Sequence, residues 1–347
     1  ILQNTIDHIF SQTNMMIILC GSSMSFMENQ VLGYQSPLYG RRTGQLLIKP
    51  LDYYTSSLFV KRYTAEEKAI IYGITGGIPK YLEVVDDGLS LKDNIVSMFF
   101  NASAYLYEEP GNLLKQELRE PANYNAIIEA IARGATKLNE IATSVKMDTA
   151  KVSTYLRTLM VLGIIQKVNA LTEEKNKKKT FYKLEDTMFI FWYRFVLPNL
   201  FLIQSGEGEY LYDNIVKPML NDFMGHIYEE MCKQYLTKLN MENKLPFKLL
   251  QMGKWWRTDV NIKKQIEIDI YGINELERQA LFGECKFRNE KVGKNVYDSL
   301  ICRTKTLQNY LKTYYVLFSK GGFSTELEQL AKSKTSLRLV TLDELYQ

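Results

Sequence analysis

The residues best equipped for chemistry lie between Ile266 and Lys286. One predicted strand carries Glu267-Ile-Asp269-Ile-Tyr271, and the next carries Phe282-Gly-Glu284-Cys-Lys286. Residues two apart on a strand share a face, so Glu284 and Lys286 point the same way. Asp269 stands on the neighbouring strand, reached through a hairpin containing Gly272 and Asn274. Two carboxylates so placed offer hard oxygen ligands to Mg2+ or Mn2+, and an adjacent lysine can orient or deprotonate a water. Asp269 and Glu284 are therefore the candidate metal ligands, with the Cys285 carbonyl as a third oxygen and Lys286 as the candidate catalytic amine. The alternative is a solvated strand face, because an E-x-K spacing is common. Ile266, Ile268, Ile270, Leu281 and Phe282 argue for central strands instead. A charge pointing inward from a central strand is costly unless it is paired or metal-bound.

The elements that must position these residues run from about Tyr212 to Gln347. The pattern predicts a helix (Phe223 to Leu239), strands at Ile266 to Tyr271 and Ala280 to Phe287, and a helix from Asn295 to Leu311. A strand (Thr313 to Phe318), another helix and a short strand (Leu337 to Thr341) follow. That order is an α/β domain. Ahead of it, Phe189-Ile-Phe-Trp-Tyr-Arg-Phe195 and Pro198 read as a packing helix.

The segment from about Glu120 to Leu184 has a different pattern. Tyr124 to Ala132 and Leu138 to Val145 are amphipathic helices, and Asp148 can cap a third, Thr149 to Leu162. Gly163 stops that helix. Ile164 to Val168 and Phe181 to Leu184 make a hairpin around the basic run Lys175-Asn-Lys-Lys-Lys-Thr180. Three helices and a basic hairpin form the winged helix-turn-helix arrangement. Lys151 and Arg157 on the third helix and Lys177, Lys178 and Lys179 on the wing suit phosphate contacts to duplex DNA. A protein-interaction module and a merely solvated hairpin tip are the competing readings.

Near the start, Met16-Ile-Ile-Leu-Cys20 followed by Gly21-Ser22-Ser23 reads as a buried parallel strand whose tip reaches a ligand site. A second strand is predicted at Gly44 to Lys49, after Ser36-Pro-Leu-Tyr-Gly-Arg41-Arg42. From Ser56 to about Leu118 the pattern is helical, broken at Gly76-Gly77-Ile78-Pro79.

Composition narrows the classes. The 347 residues are 46% hydrophobic and 24% charged, which excludes disorder and collagen. The four cysteines form no CxxC pair, so a disulfide framework or structural zinc site is not expected. Two histidines, His8 and His226, are too few for most histidine-based chemistry. A net charge of +4 means that nucleic-acid binding must come from local patches. With no apolar run near the start long enough to span a bilayer and no signal-peptide pattern there, the expectation is a cytoplasmic protein without a membrane partner.

The carboxylate–lysine stretch resembles the D…(D/E)xK core of the PD-(D/E)XK nuclease superfamily, and that resemblance makes Glu229, in Tyr228-Glu229-Glu230, a further catalytic candidate. Together with Gly21-Ser22-Ser23, the Arg41-Arg42 stretch and Gly76-Gly77-Ile78-Pro79-Lys80-Tyr81-Leu82, the whole chain resembles an AAA+-type ATPase family of archaea and bacteria. In that family a nucleotide-binding core is followed by a helical lid, a winged helix and a nuclease-like domain. The resemblance implies a multidomain α/β and α architecture. Its parts are the remnant of a P-loop ATPase core (1–55), a lid (56–118), a winged helix (119–185), a connecting helix (186–211) and a restriction-endonuclease-like domain (212–347). It also implies that Ser22 or Ser23 is a polar sensor and that Arg41 and Arg42 are candidates for addressing a γ-phosphate.

One departure stands out. No G-x-x-x-x-G-K-[ST] loop and no strand ending in Asp-Glu occurs in these residues. The chain as given is therefore expected not to hydrolyse ATP, and ATP is a cofactor only where a preceding half supplies that loop. The expected function is that of the C-terminal part of such an ATPase, with DNA as partner, a metal-dependent nuclease site, and a homo-oligomer left open. The alternative is a non-catalytic, ATP-gated DNA-binding regulator or signalling switch whose last domain is an interaction module.

Overall fold

The computed structural model describes residues 2–21, 27, 31, 33–169, 180–259, 264–307 and 310–347. They divide into two compact units. The first comprises 1–49, 108–167 and 182–186, and the second comprises 50–107, 168–181 and 187–347. The fold is mixed α/β and multidomain.

Helices α1 (Pro121–Ala132), α2 (Leu138–Val145) and α3 (Thr149–Val161) of the first unit are followed by paired strands β1 (Ile165–Val168) and β2 (Phe181–Leu184), which belong to it except for Val168 and Phe181. Apolar residues at helical spacing drive this packing. Ile127, Ile128 and Ile131 of α1, Ile141 of α2, and Val152, Leu156 and Leu159 of α3 are all buried. Asp148 caps α3, accepting from the Ala150 N–H at 2.8 Å. Gly163, at a φ of 71°, turns the chain out of α3.

The two strands predicted near the start are not formed: residues 14–21 and 44–50 carry no ladder. Met16, Ile18, Leu46 and Ile48 are 84%, 74%, 81% and 79% exposed. A parallel strand is stable only with hydrogen-bonded neighbours and covered faces. Among the described residues of this unit, β1 and β2 pair with each other and no strand remains to take these runs.

The second unit begins helically. The helix Ala65–Thr75 starts with a capping box formed by Thr64 and Glu67 and ends at Gly76. Gly77 follows with a φ of 72°, and a Cβ there would lie 2.1 Å from the Leu51 carbonyl oxygen. Pro79 then opens the next short helix at its first turn. The break predicted from Gly76-Gly77-Ile78-Pro79 is thus enforced by backbone conformation and by crowding. Residues 187–204 are, among the described residues, the one helical stretch apolar and long enough by composition to cross a membrane. Here Met188, Phe189, Phe191, Phe195 and Val196 are buried, with Phe191 4.7 Å from Phe99 and 5.4 Å from Phe223 between ring centroids.

The long helix α4 (Lys217–Met241) leads into a five-stranded sheet. Its strands are β3 (Gln251–Asp259), β4 (Lys264–Asn274), β5 (Gln279–Lys286), β6 (Lys312–Ser319) and β7 (Leu337–Thr341), in that spatial order. β3, β4 and β5 are antiparallel neighbours, whereas β5, β6 and β7 are parallel. The parallel connections carry helices α5 (Lys294–Thr304) and α6 (Thr325–Ser333). α5 and α6 pack with Tyr271, Phe282 and Leu317. Tyr235 of α4 meets Phe318, whose side chain alternates to the opposite face from Leu317. Helices therefore cover both faces of the sheet.

The predicted helix to Leu311 ends earlier, at Thr304, because Leu311 already lies beside the sheet and donates its N–H to the Arg278 carbonyl at 2.7 Å. The sequence pattern does not reveal β3. Its alternation is broken by a register shift between Gly253 and Trp255.

Candidate functional site

The site lies where two strands part. β4 and β5 pair from Asn274–Gln279 to Ile270–Gly283. Beyond that point β4 continues beside β3, while β5 continues beside β6. The last pair is tight: a Cβ on Gly283 would lie 2.9 Å from the Ile270 Cβ. In the fork, the Asp269 carboxylate accepts the Cys285 N–H at 2.9 Å, standing in for a ladder bond. On the other side of β5 the Lys286 carbonyl accepts from the Lys320 N–H. Peptide groups alternate along a strand, so both the N–H and the C=O of Cys285 turn toward β4 and Asp269.

Glu284 is enclosed and fully engaged. Its side chain is 6% exposed, with Lys286 Nζ 2.7 Å from Oε1 and Arg303 Nη2 2.6 Å from Oε2. Glu284 and Lys286, predicted to share a strand face, are thus brought into contact. Arg303, in the last turn of α5, also donates to the Glu267 carbonyl at 2.7 Å.

Glu229 approaches from α4. Lys254 of β3 lies 3.3 Å from Glu229 and 3.1 Å from Glu267, and His226 Nδ1 lies 3.4 Å from Glu229.

These surroundings set the protonation of the acids. Burial is the largest influence on Asp269, and the nearby Glu284 and Glu229 charges add to it. The Cys285 N–H and Lys286 oppose them only in part, so the carboxyl is pushed up to about 6. Burial also pushes Glu229 up, but its hydrogen bond with His226 and the charge of Lys254 prevail and hold it below the usual carboxylate range. Burial disfavours the Lys254 ammonium, yet Glu229 and Glu267 keep its pKa above the ordinary value. Burial raises the thiols of Cys285 and Cys232. Neither is a ready thiolate ligand.

Among the described residues, no three His, Cys, Asp or Glu side chains form a metal cage. The donors on hand are two carboxylates, Asp269 and Glu284, and one backbone carbonyl, that of Cys285. All are hard oxygen donors of the kind that Mg2+ and Mn2+ prefer, and Asp269 sits among like charges that a cation would relieve. The donor types suit such an ion, whereas Glu284 is already paired at both oxygens.

Lys254, Glu267, His226 and Arg303 are additions that the sequence motifs do not mark as site residues. Lys254 is the lone charge inside Met252-Gly-Lys-Trp-Trp256, a signal that could have marked it. Arg303 gives no such signal, because its contact with Glu284 depends on how α5 docks.

The other candidates are scattered. On α3, Lys151 and Arg157 are both exposed, and Lys151 Nζ lies 5.5 Å over the Tyr155 ring. Lys177, Lys178 and Lys179 lie outside the described residues, as do Ser22 and Ser23. Arg41 is engaged in a two-pronged pair with Asp7, at 2.6 and 2.7 Å, and Arg42 donates to Gln45.

A family model for an ATPase domain predominantly from Archaea matches residues 1–85. A second, for archaeal and bacterial proteins of unknown function, matches residues 192–296. The chain is 34% identical over 325 residues to Uncharacterized protein MJECL04 of Methanocaldococcus jannaschii, covering 92% of this chain and 71% of that protein. The chain belongs to an archaeal and bacterial ATPase-type family. Within it, the segment 192–296 contains Glu229, Lys254, Asp269, Glu284 and Lys286 and stops short of Arg303. A solved O-methyltransferase, NcsB1 from neocarzinostatin biosynthesis in complex with S-adenosyl-L-homocysteine, has 9% identity and a TM-score of 0.16 over 69% of this chain and 67% of its own. A likeness that low carries no argument.

Proposed function

We propose that this member of the ATPase family carries a metal-dependent nuclease site of the PD-(D/E)XK kind in residues 212–347 and a DNA-binding winged helix in residues 119–185. The observation that carries the reading is the fork between β4 and β5. It holds two buried carboxylates, Asp269 and Glu284, and turns the Cys285 N–H onto Asp269, with Lys286 beside Glu284. Asp269, Glu284 and the Cys285 carbonyl would hold Mg2+ or Mn2+. When bound, such an ion supplies Lewis-acid stabilisation of the phosphate and an acidified water. Lys286 would orient that water or stabilise the developing charge through its ammonium. Glu229 keeps Lys254 in place at the rim of the fork. The first-unit α3 presents Lys151 and Arg157 to phosphates of duplex DNA. The nucleotide roles of Ser22, Ser23, Arg41 and Arg42, a cytoplasmic location and self-association belong to the same proposal.

The experiment is nicking of supercoiled and linear DNA with Mg2+ or Mn2+, wild type beside Asp269→Asn. Cleavage by the wild type and none by the variant supports the reading. Equal activity in both exposes a contaminant.

The double pairing of Glu284 favours a second reading, a non-catalytic regulator in which the ion pairs serve only to hold the sheet and α5 together. No activity in either protein, with no metal bound by calorimetry, selects it.

A further inference from the structure

The double pairing of Glu284 is specific in its geometry. The guanidinium of Arg303 is not a loose surface cation. Nη2 meets Glu284 Oε2 at 2.6 Å, Nη1 meets the Glu267 carbonyl at 2.7 Å, and Nε lies 3.4 Å from the Ser299 carbonyl on its own helix. It therefore ties α5 to both strands of the fork, on the carboxylate required as a ligand. Lys286 takes the other oxygen. A lysine at position 303, with a single ammonium, could not serve Glu284 and the Glu267 carbonyl in the same forked manner.

A divalent cation arriving between Asp269 and Glu284 meets this guanidinium at the same carboxylate. A further cation brought to a carboxyl group that Lys286 and Arg303 already hold is repelled by both in a poorly solvated site. An ion that takes an oxygen of Glu284 competes with Arg303 and Lys286 for that carboxylate's charge. Without the ion or Arg303, Glu284 would be a buried anion with only Lys286 to balance it, which is unfavourable.

We infer that Arg303 is a positioning residue that acts as an internal counter-ion, holding Glu284 in the fork until a divalent cation displaces it. The inference rests on the nuclease reading and extends it: metal affinity is held down by a competitor built into α5. It makes a prediction opposite in sign to that of a structural role. Removing a merely structural arginine weakens metal binding or leaves it unchanged, whereas removing a competitor tightens it.

The test is isothermal titration of the full chain with Mn2+ for wild type, Arg303→Met, Arg303→Lys and Asp269→Asn. Arg303→Met is expected to bind Mn2+ at least tenfold more tightly than wild type, Arg303→Lys to fall between the two, and Asp269→Asn to bind none. Unchanged or weaker binding by Arg303→Met, with Asp269→Asn still inactive in binding, overturns the inference and leaves the nuclease reading standing. Mn2+ binding by no variant, or equal binding by Asp269→Asn and wild type, overturns the reading itself and the inference with it. Should Arg303→Met fail to fold by circular dichroism, Arg303→Lys carries the test. A threefold or greater gain in its affinity supports the inference, and affinity equal to wild type overturns it.

Discussion

Asp269→Asn should make this protein more stable at neutral pH in the presence of a chelator, and the size of the effect follows from the fork. Burial and the neighbouring Glu284 and Glu229 raise the Asp269 carboxyl to about 6, against about 3.9 for aspartate in an unfolded chain. Between these values the folded state binds more protons than the unfolded one, so stability falls as pH rises. The contribution of Asp269 is intact below about pH 4 and lost by about pH 7. A shift of roughly two units at about 1.4 kcal/mol each gives about 3 kcal/mol. Asparagine keeps an acceptor for the Cys285 N–H without the charge. In EDTA at pH 7.5 the variant should therefore melt several degrees higher than wild type, by calorimetry or fluorescence. The fall in wild-type stability from pH 4.5 to 7 should flatten in the variant. Mn2+ should stabilise wild type only. A variant that melts lower at pH 7.5 and keeps the wild-type pH slope would refute the idea that Asp269 is an anion held at a cost.

Three other outcomes can be checked independently. Lys286→Ala should retain Mn2+ binding by calorimetry but slow DNA cleavage by about a hundredfold or more, since the amine acts on the water or the developing charge. Changing Lys177, Lys178 and Lys179 together to Ala should lower the slope of log affinity against log salt by about 0.9 for each phosphate that is no longer neutralised, and an unchanged slope assigns residues 119–185 to protein interaction. Gly77→Ala should cost at least about 2 kcal/mol in urea unfolding, because the new methyl would lie 2.1 Å from the Leu51 carbonyl oxygen at a φ of 72°.

Much of this protein was legible in its residues because the signals were local. The caps and stops of α3 at Asp148 and Gly163, the break at Gly76-Gly77-Ile78-Pro79, and the partnership of Glu284 with Lys286 each depend on residues a few positions apart. Helical periodicity and strand alternation are short-range rules, and they hold wherever the segment packs. What the sequence could not determine depended on distant partners. Met16 to Cys20 and Gly44 to Lys49 have the composition of buried strands, yet they stay exposed, because a strand exists only when another strand supplies its hydrogen bonds. The bulge of β3 breaks its alternation, so neither the strand nor the place of Lys254 in it is marked by the sequence pattern. Arg303 touches Glu284 across 19 positions of sequence, through the docking of α5 on the sheet. The raised pKa of Asp269 is likewise tertiary. Aspartate in a strand is an ordinary acid until the fork between β4 and β5 excludes water and sets Glu284 and Glu229 beside it.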